Sequence, residues 1–303
     1  MRLYPGTPRT TNRPPVLVCA TAAVCAALLT ASCGPGQGRG LPGPSAPAHG
    51  SDQPGRADRV ERLTVRVLEV LPHDKSAFTQ GLELDGNTLY ESTGMAGRSS
   101  VRSGHPDGTN RLRVALPRPL FGEGLTVLGP TLWQLTWRDG VAIERDARTL
   151  AERRRVRYSG EGWGLCHQAA RGRLVMSDGS ARLAFRDPRT FVKTGEITVT
   201  SGGEPVPQLN ELECVGDTVY ANIWSSDQIM RIDANTGKVT GRIDASGLLT
   251  PPEASRADVL NGVAAVPGTD EFLITGKLWP KTFRVVLVPA PSQAPAVDGG
   301  QRQ

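Results

Sequence analysis

The chain has 303 residues, enough for one large domain or two small ones, with 35 Lys and Arg against 30 Asp and Glu and a formal charge of +5. Three of those cations, Arg2, Arg9 and Arg13, lie in an acid-free N-terminal stretch, and without residues 1–33 the balance is 32 to 30. A residual charge of +2 excludes the basic footprint of a nucleic-acid-binding domain.

In chain order, residues 1–15 are cationic and residues 16–31 (VLVCATAAVCAALLTA) are almost wholly apolar. A positive segment followed by a short apolar one is the pattern of an export signal. The run is shorter than the about 20 residues a membrane-spanning helix needs. It ends in "LTASC", which resembles a bacterial lipobox, so Cys33 is expected to carry a lipid and become the mature N-terminus. The protein is then exported and held at the outer face of a membrane by that anchor alone. Ordinary cleavage and free secretion is the alternative. Residues 34–60 are rich in Gly, Pro and Ser and read as a flexible tether, as does 289–303. The folded part is expected over 61–288.

Within it, one pattern recurs: "TQGLELDGNTLYESTG", "GEGLTVLGPTLWQLTW", "GWGLCHQAARGRLVMSDG", "LNELECVGDTVYANIW" and "LNGVAAVPGTDEFLITGK". Each is an apolar run, a turn rich in Gly, Asp or Pro, and a second apolar run, which is a hairpin signal. The first apolar anchors are Leu82, Leu125, Leu165, Leu212 and Val263, at intervals of 43, 40, 47 and 51 residues. Strand-rich repeats of about 40–50 residues point to blades. The expected fold is therefore an all-β, five-bladed β-propeller. A sandwich does not explain similar hairpins at this spacing, and a β-helix has a much shorter period.

Two residues before each anchor stand Gln80, Glu123, Trp163, Asn210 and Asn261, all polar or aromatic. The returning strands end at Gly94, Trp137, Gly179, Trp224 and Lys277. The start of a hairpin's first strand and the end of its second share an edge, so both slots should converge on one mouth of a central channel. Taken singly, Glu123 is a solvated loop carboxylate, the tryptophans are core, Lys277 is a surface lysine, and Asn210 and Gln80 cap turns. Gathered in one ring, they become a pocket. There, apolar walls raise the pKa of Glu123 towards that of a proton shuttle. Glu123 is the only acid in these slots. The glycines around it are expected to let backbone or ligand approach closely.

Five cysteines are present. Cys19 and Cys25 leave with the signal, and Cys166 and Cys214 are either a disulfide or two buried thiols. No HExxH, HxH or CxxC spacing supports a catalytic metal, and no GxSxG elbow supports a serine nucleophile. A structural ion in the channel stays open.

The motifs "PHDKSAFTQGLELDGNTLYESTG", "FGEGLTVLGPTLWQLTW", "GWGL", "SDGS", "LNELE", "YANIW" and "LNGVAAVPGTDEFLITGKLWPK" appear in order over roughly 65–287. Together they resemble the plant-type glutaminyl cyclases, a family also found in bacteria. The resemblance implies a five-bladed propeller that converts N-terminal glutaminyl residues of peptides to pyroglutamate and releases ammonia, with no cofactor required for catalysis. It implies proton transfer by Glu123 and a pocket of Phe78, Gln80, Trp137, Trp163, Asn210, Trp224 and Lys277, to which the ring adds Asn261. Lys277 is expected to share in catalysis, and the protein to act as a monomer. The rival expectation is a propeller that binds a peptide or partner at the same mouth without turnover.

Overall fold

Leu82, Leu125, Leu165, Leu212 and Val263 are all at most 2% exposed, and each lies on the first strand of an antiparallel hairpin. The computed structural model describes residues 60–109 and 111–291. The expected export segment, Cys33 and nearly all of the tether and tail lie outside the described residues.

β1 (Glu61–Pro72) opens the fold. β2 (Thr79–Asp85), β3 (Thr88–Thr93), β4 (Ser100–Gly104) and β5 (Leu112–Ala115) form a four-stranded antiparallel sheet in chain order. β6 (Gly122–Leu128), β7 (Thr131–Thr136), β8 (Val141–Asp146) and β9 (Glu152–Arg157) form a second. β10 (Leu165–Gln168), β11 (Arg173–Ser177), β12 (Arg182–Arg186) and β13 (Lys193–Thr198) form a third. A small two-stranded excursion, β14 (Thr200–Ser201) with β15 (Glu204–Pro205), follows. β16 (Leu209–Val215), β17 (Thr218–Ile223), β18 (Gln228–Asp233) and β19 (Val239–Asp244) again pair in order. A one-turn helix, α1 (Pro251–Ala254), leads to β20 (Leu260–Ala265), β21 (Glu271–Gly276) and β22 (Lys281–Pro289).

The last three strands are completed from the other end of the chain. β1 runs antiparallel to β22, with Leu63 facing Pro289 and Pro72 facing Lys281. It also pairs in parallel with β19, which merges these elements into one eight-stranded sheet. β22 ends one residue beyond the boundary expected from the sequence.

Apolar layers lie between successive sheets. Cys166, Val175 and Leu183 of the third sheet pack with Leu209, Leu212 and Val219 of the next. Trp133 and Leu135 of the second sheet pack with Leu165 and Leu174 of the third. Burying one such side chain is worth about 1.5–3 kcal/mol. The first strands touch in a closed cycle: β2 meets β6, β6 meets β10, β10 meets β16, β16 meets β20, and β20 meets β2. Cys166 on β10 and Cys214 on β16 are joined by a disulfide, which settles the alternative left open by the sequence.

Candidate active site

The five slot positions stand at the starts of the cycling strands, and a shared irregularity aims most of them. The β2–β3 register breaks between Thr79 and Gly81, β6–β7 between Gly122 and Leu125, β16–β17 between Leu209 and Leu212, and β20–β21 between Leu260 and Val263. Gln80, Glu123, Asn210 and Asn261 lie inside those breaks. A bulge re-aims side chains at the end of a strand. Trp163 differs: it precedes β10, which begins at Leu165. The other slot residues, Gly94, Trp137, Gly179, Trp224 and Lys277, follow the ends of β3, β7, β11, β17 and β21. The N–H groups of Gly94, Trp137, Trp224 and Lys277 donate to the carbonyls of Phe78, Phe121, Gln208 and Val259 at 2.8–3.0 Å. These bonds tie the two slots of a hairpin to one edge.

The glycine after Glu123 serves the chain itself. A Cβ on Gly124 would lie 2.7 Å from the backbone nitrogen of Leu165 and the carbonyl of Trp163, and the Gly124 N–H donates to that carbonyl at 2.8 Å. The close approach is between neighbouring strands, with no ligand needed to explain it.

Glu123 is 4% exposed. Its Oε1 accepts from Gln80 Nε2 at 2.7 Å. Asn261 Nδ2 donates to the carbonyl of Thr79 at 3.0 Å and to Gln80 Oε1 at 3.4 Å. Lys277, also buried, holds its Nζ 4.9 Å from the centre of the Phe78 ring. Phe78 meets Phe121 edge-on at 6.3 Å, and Phe121 meets Trp137 at 5.5 Å. Trp163 meets Trp224 edge-on at 5.7 Å. Buried polar groups thus sit beside partly exposed aromatic rings, of which Trp224 is the most open at 43%. Asn210 is buried and gives its carbonyl to the Ser177 hydroxyl at 2.6 Å, while its side chain makes no hydrogen bond among the described residues. Trp133 and Trp279 are core.

Two residues of the site fall outside the sequence-based expectation. Phe121 stands in "FGEG" two positions before the acid, where the first hairpin has Phe78, a signal in the repeat that the count of slots stopped short of. Glu161 adds a second acid beside the slots, in which Glu123 is the only one. Its Oε2 accepts from the indoles of both Trp137, at 2.8 Å, and Trp163, at 3.0 Å, and its Oε1 accepts from Arg138 at 2.8 Å. Arg138 in turn stacks 3.9 Å above the Trp137 ring. Glu161 precedes β10, four residues before the anchor Leu165, at the same offset as Phe78 and Phe121 in the first two hairpins, so counting two residues further back from the slots would have marked it.

The two carboxyls are driven apart. Burial pushes Glu123 well above the usual carboxylate range; Lys277 pulls it back and Glu161 pushes it further up. The hydrogen bond from Trp163, with those from Arg138 and Trp137, holds Glu161 below that range against its partial burial. Burial lowers Lys277, with Glu123 and Asp258 opposing. Among the described residues no group of three or more His, Cys, Asp or Glu is arranged to hold a metal ion.

The all-β scaffold brings a buried carboxyl, raised by that burial, and a buried lysine beside an aromatic wall, an arrangement able to carry acid–base chemistry on a small polar group. Residues 44–287 match the family model described as glutamine cyclotransferase. The chain is 38% identical over 238 residues to the glutaminyl-peptide cyclotransferase of Arabidopsis thaliana, covering 76% of this chain and 73% of that protein. It is also similar to the crystal structure of Myxococcus xanthus glutaminyl cyclase, at 39% identity and a TM-score of 0.69, covering 77% of this chain and all of that one. The chain belongs to the glutamine cyclotransferase family.

Proposed function

We propose that this protein is a glutaminyl-peptide cyclotransferase, closing the N-terminal glutaminyl residue of peptides to pyroglutamate and releasing ammonia. One observation carries the reading beyond family membership: Glu123, with Gln80 hydrogen-bonded to it and Lys277 acting on its charge, sits beside the Phe78–Phe121–Trp137 aromatic line.

In this mechanism the neutral α-amine attacks the γ-carboxamide carbon, forming the ring C–N bond. The nucleophile is already tethered, so the site's work is to curl the side chain and exclude water, a task for Phe78, Trp137, Trp163 and Trp224. Glu123 takes the amine proton as the tetrahedral centre forms. It hands that proton to the carboxamide nitrogen as that C–N bond breaks, and ammonia leaves. Lys277 faces the oxyanion. The indoles of Trp137 and Trp163 are committed to Glu161, and the amides of Gln80 and Asn261 are committed to each other and to Glu123. The Asn210 amide is therefore the second oxyanion donor. These steps call for no serine nucleophile and no metal.

The architecture is read as a five-bladed propeller. The closed cycle of first strands supports this, with β20–β22 and β1 making the fifth blade. Export and anchoring through lipid on Cys33 belong to the same reading, supported by the apolar run and "LTASC". Ammonia release from a Gln-initiated dipeptide tests the activity. Glu123→Gln should fold normally and lose about 100- to 10,000-fold in kcat. Near-wild-type turnover would remove Glu123 from the chemistry, and no ammonia from the wild-type protein would leave the non-catalytic binding alternative.

A further inference from the structure

A groove of about 500 Å³ lies between the second and third sheets, lined by the end of β9, the loop through Glu161, and strands β11 to β13. Its volume falls in the range of about 300–1,000 Å³ typical of ligand pockets. We propose that it holds the part of a peptide substrate that follows the glutaminyl residue, and that Arg157 receives a carboxylate there. This rests on the cyclotransferase reading of the site.

The groove adjoins the aromatic wall. Glu161 lines it while accepting the indole N–H groups of Trp137 and Trp163. Asp178 also lines it, and the next residue, Gly179, packs against the back of Trp163, where a Cβ would come within 2.6 Å of the ring. Cyclisation consumes only the first residue of a substrate. The remaining chain has to lie outside the pocket, and the groove adjoins its aromatic wall through Glu161.

Charge in the groove selects the ligand. Lys193 pairs with Glu196 at 2.6 Å. Arg182 is shared between Asp178 at 3.9 Å and Glu196 at 4.0 Å. Arg186 is buried and donates to the Phe191 carbonyl at 3.1 Å. Glu161 is occupied by three donors. On β9, Arg153, Arg154 and Arg155 each pair with an acid: Asp146, Glu144 and Glu152. The side chain of Arg157, on the same strand and lining the groove, has no ion pair or hydrogen bond among the described residues. It is the guanidinium left for a ligand, and guanidinium matches carboxylate in shape as well as charge. The carboxylate can come from an acidic side chain or from the C-terminus of a short peptide.

The test uses amidated tetrapeptides, Gln followed by three alanines, with one alanine replaced by Glu or by Lys, and the unamidated all-alanine peptide. kcat/KM is read from ammonia release, and Kd for the same peptides from calorimetry. At low salt the wild-type protein should favour Glu over Ala at one or more positions, or free acid over amide, by about three- to fivefold, the size of an exposed ion pair. A gain confined to the free acid assigns the terminal carboxylate; a gain confined to one Glu position assigns a side chain. Arg157→Ala should bring the ratio to within about twofold of unity, and Arg157→Glu should turn it towards Lys. Equal ratios in the wild-type protein, or a preference that survives both variants, would overturn the proposal. Absence of ammonia from every peptide would instead overturn the cyclotransferase reading, and the Kd ratios would then decide the groove alone.

Discussion

The carboxamide of Gln80 donates to Oε1 of Glu123 at 2.7 Å, joining a side chain on β2 to one on β6. Asn261, on β20, donates to the oxygen of the same carboxamide at 3.4 Å. The Asn261 contact fixes which way the Gln80 amide faces, so its donor end meets the acid. A donor aimed at a carboxylate favours the ionised form, against the burial that disfavours it. Glu123 can then change protonation state without rearranging its neighbours, which suits a residue that accepts and returns one proton.

Lys277 is the charge that holds Glu123 down. In Lys277→Met the Glu123 pKa should therefore rise further. The acidic limb of the kcat/KM profile, where Glu123 becomes ionised, should move to higher pH while the maximum falls. A pH–rate series on a glutaminyl dipeptide checks this. A lower maximum with an unmoved limb would assign that limb to another group.

Glu161 clips two indoles with one oxygen, so its side chain positions the aromatic wall. Glu161→Ala should lower kcat/KM by about tenfold, the equivalent of about 1.4 kcal/mol and within the range for lost hydrogen bonds to a charged acceptor, with most of the change in KM. Glu161→Gln keeps an acceptor and should recover much of that KM. It also removes a negative charge that pushes Glu123 up, so its acidic limb should shift to lower pH. Equal KM in the two variants would show that the clip does not position the wall.

Glu211, one residue beyond Asn210, accepts from the backbone of Leu82 at 3.2 Å and of Val263 at 2.9 Å, and burial pushes its carboxyl up to about 8. A folded pKa above the unfolded value of 4.5 means its contribution to stability is full below pH 4.5 and is lost as pH rises through about 8. Each unit of difference is worth about 1.4 kcal/mol. The stability of Glu211→Gln should fall less steeply across that window than the wild type's. Thermal unfolding from pH 4.5 to about 8 measures it, and parallel slopes would show that Glu211 does not titrate there.

The Cys166–Cys214 disulfide spans 48 residues and ties β10 to β16. Replacing both cysteines with alanine should cost about 2–4 kcal/mol in denaturant unfolding. The slot residues should stay in place, because the Gly164 backbone still packs on the Asn210 carbonyl. Turnover per folded molecule should therefore change little.

Much of this molecule is legible in its residues alone. Strand character shows as short apolar runs bounded by turn residues, and both signals are local, so the hairpins and their buried anchors can be read directly. The slot residues follow from counting back from those anchors. Their bulges are not legible, because a register break depends on what the partner strand does. Glu161 escapes for a different reason: it stands four residues before its anchor, as Phe78 and Phe121 do, but the residue type changes at that position, so what it bonds to depends on the indoles packed beside it.

The amino-acid sequence by itself determined an all-β chain of repeated hairpins, with Gln80, Glu123, Asn210 and Asn261 at the starts of first strands and Lys277 after the end of a second, because apolar runs and turn chemistry act over a few residues. Tertiary structure alone decided that β1 completes the sheet of β22, that Cys166 and Cys214 are bonded, and that Glu161 receives two indoles while Arg157, among the described residues, lacks the ion pairs its neighbours on β9 make. Those outcomes depend on distances between segments far apart in the chain, and only the packing of one sheet against the next sets them.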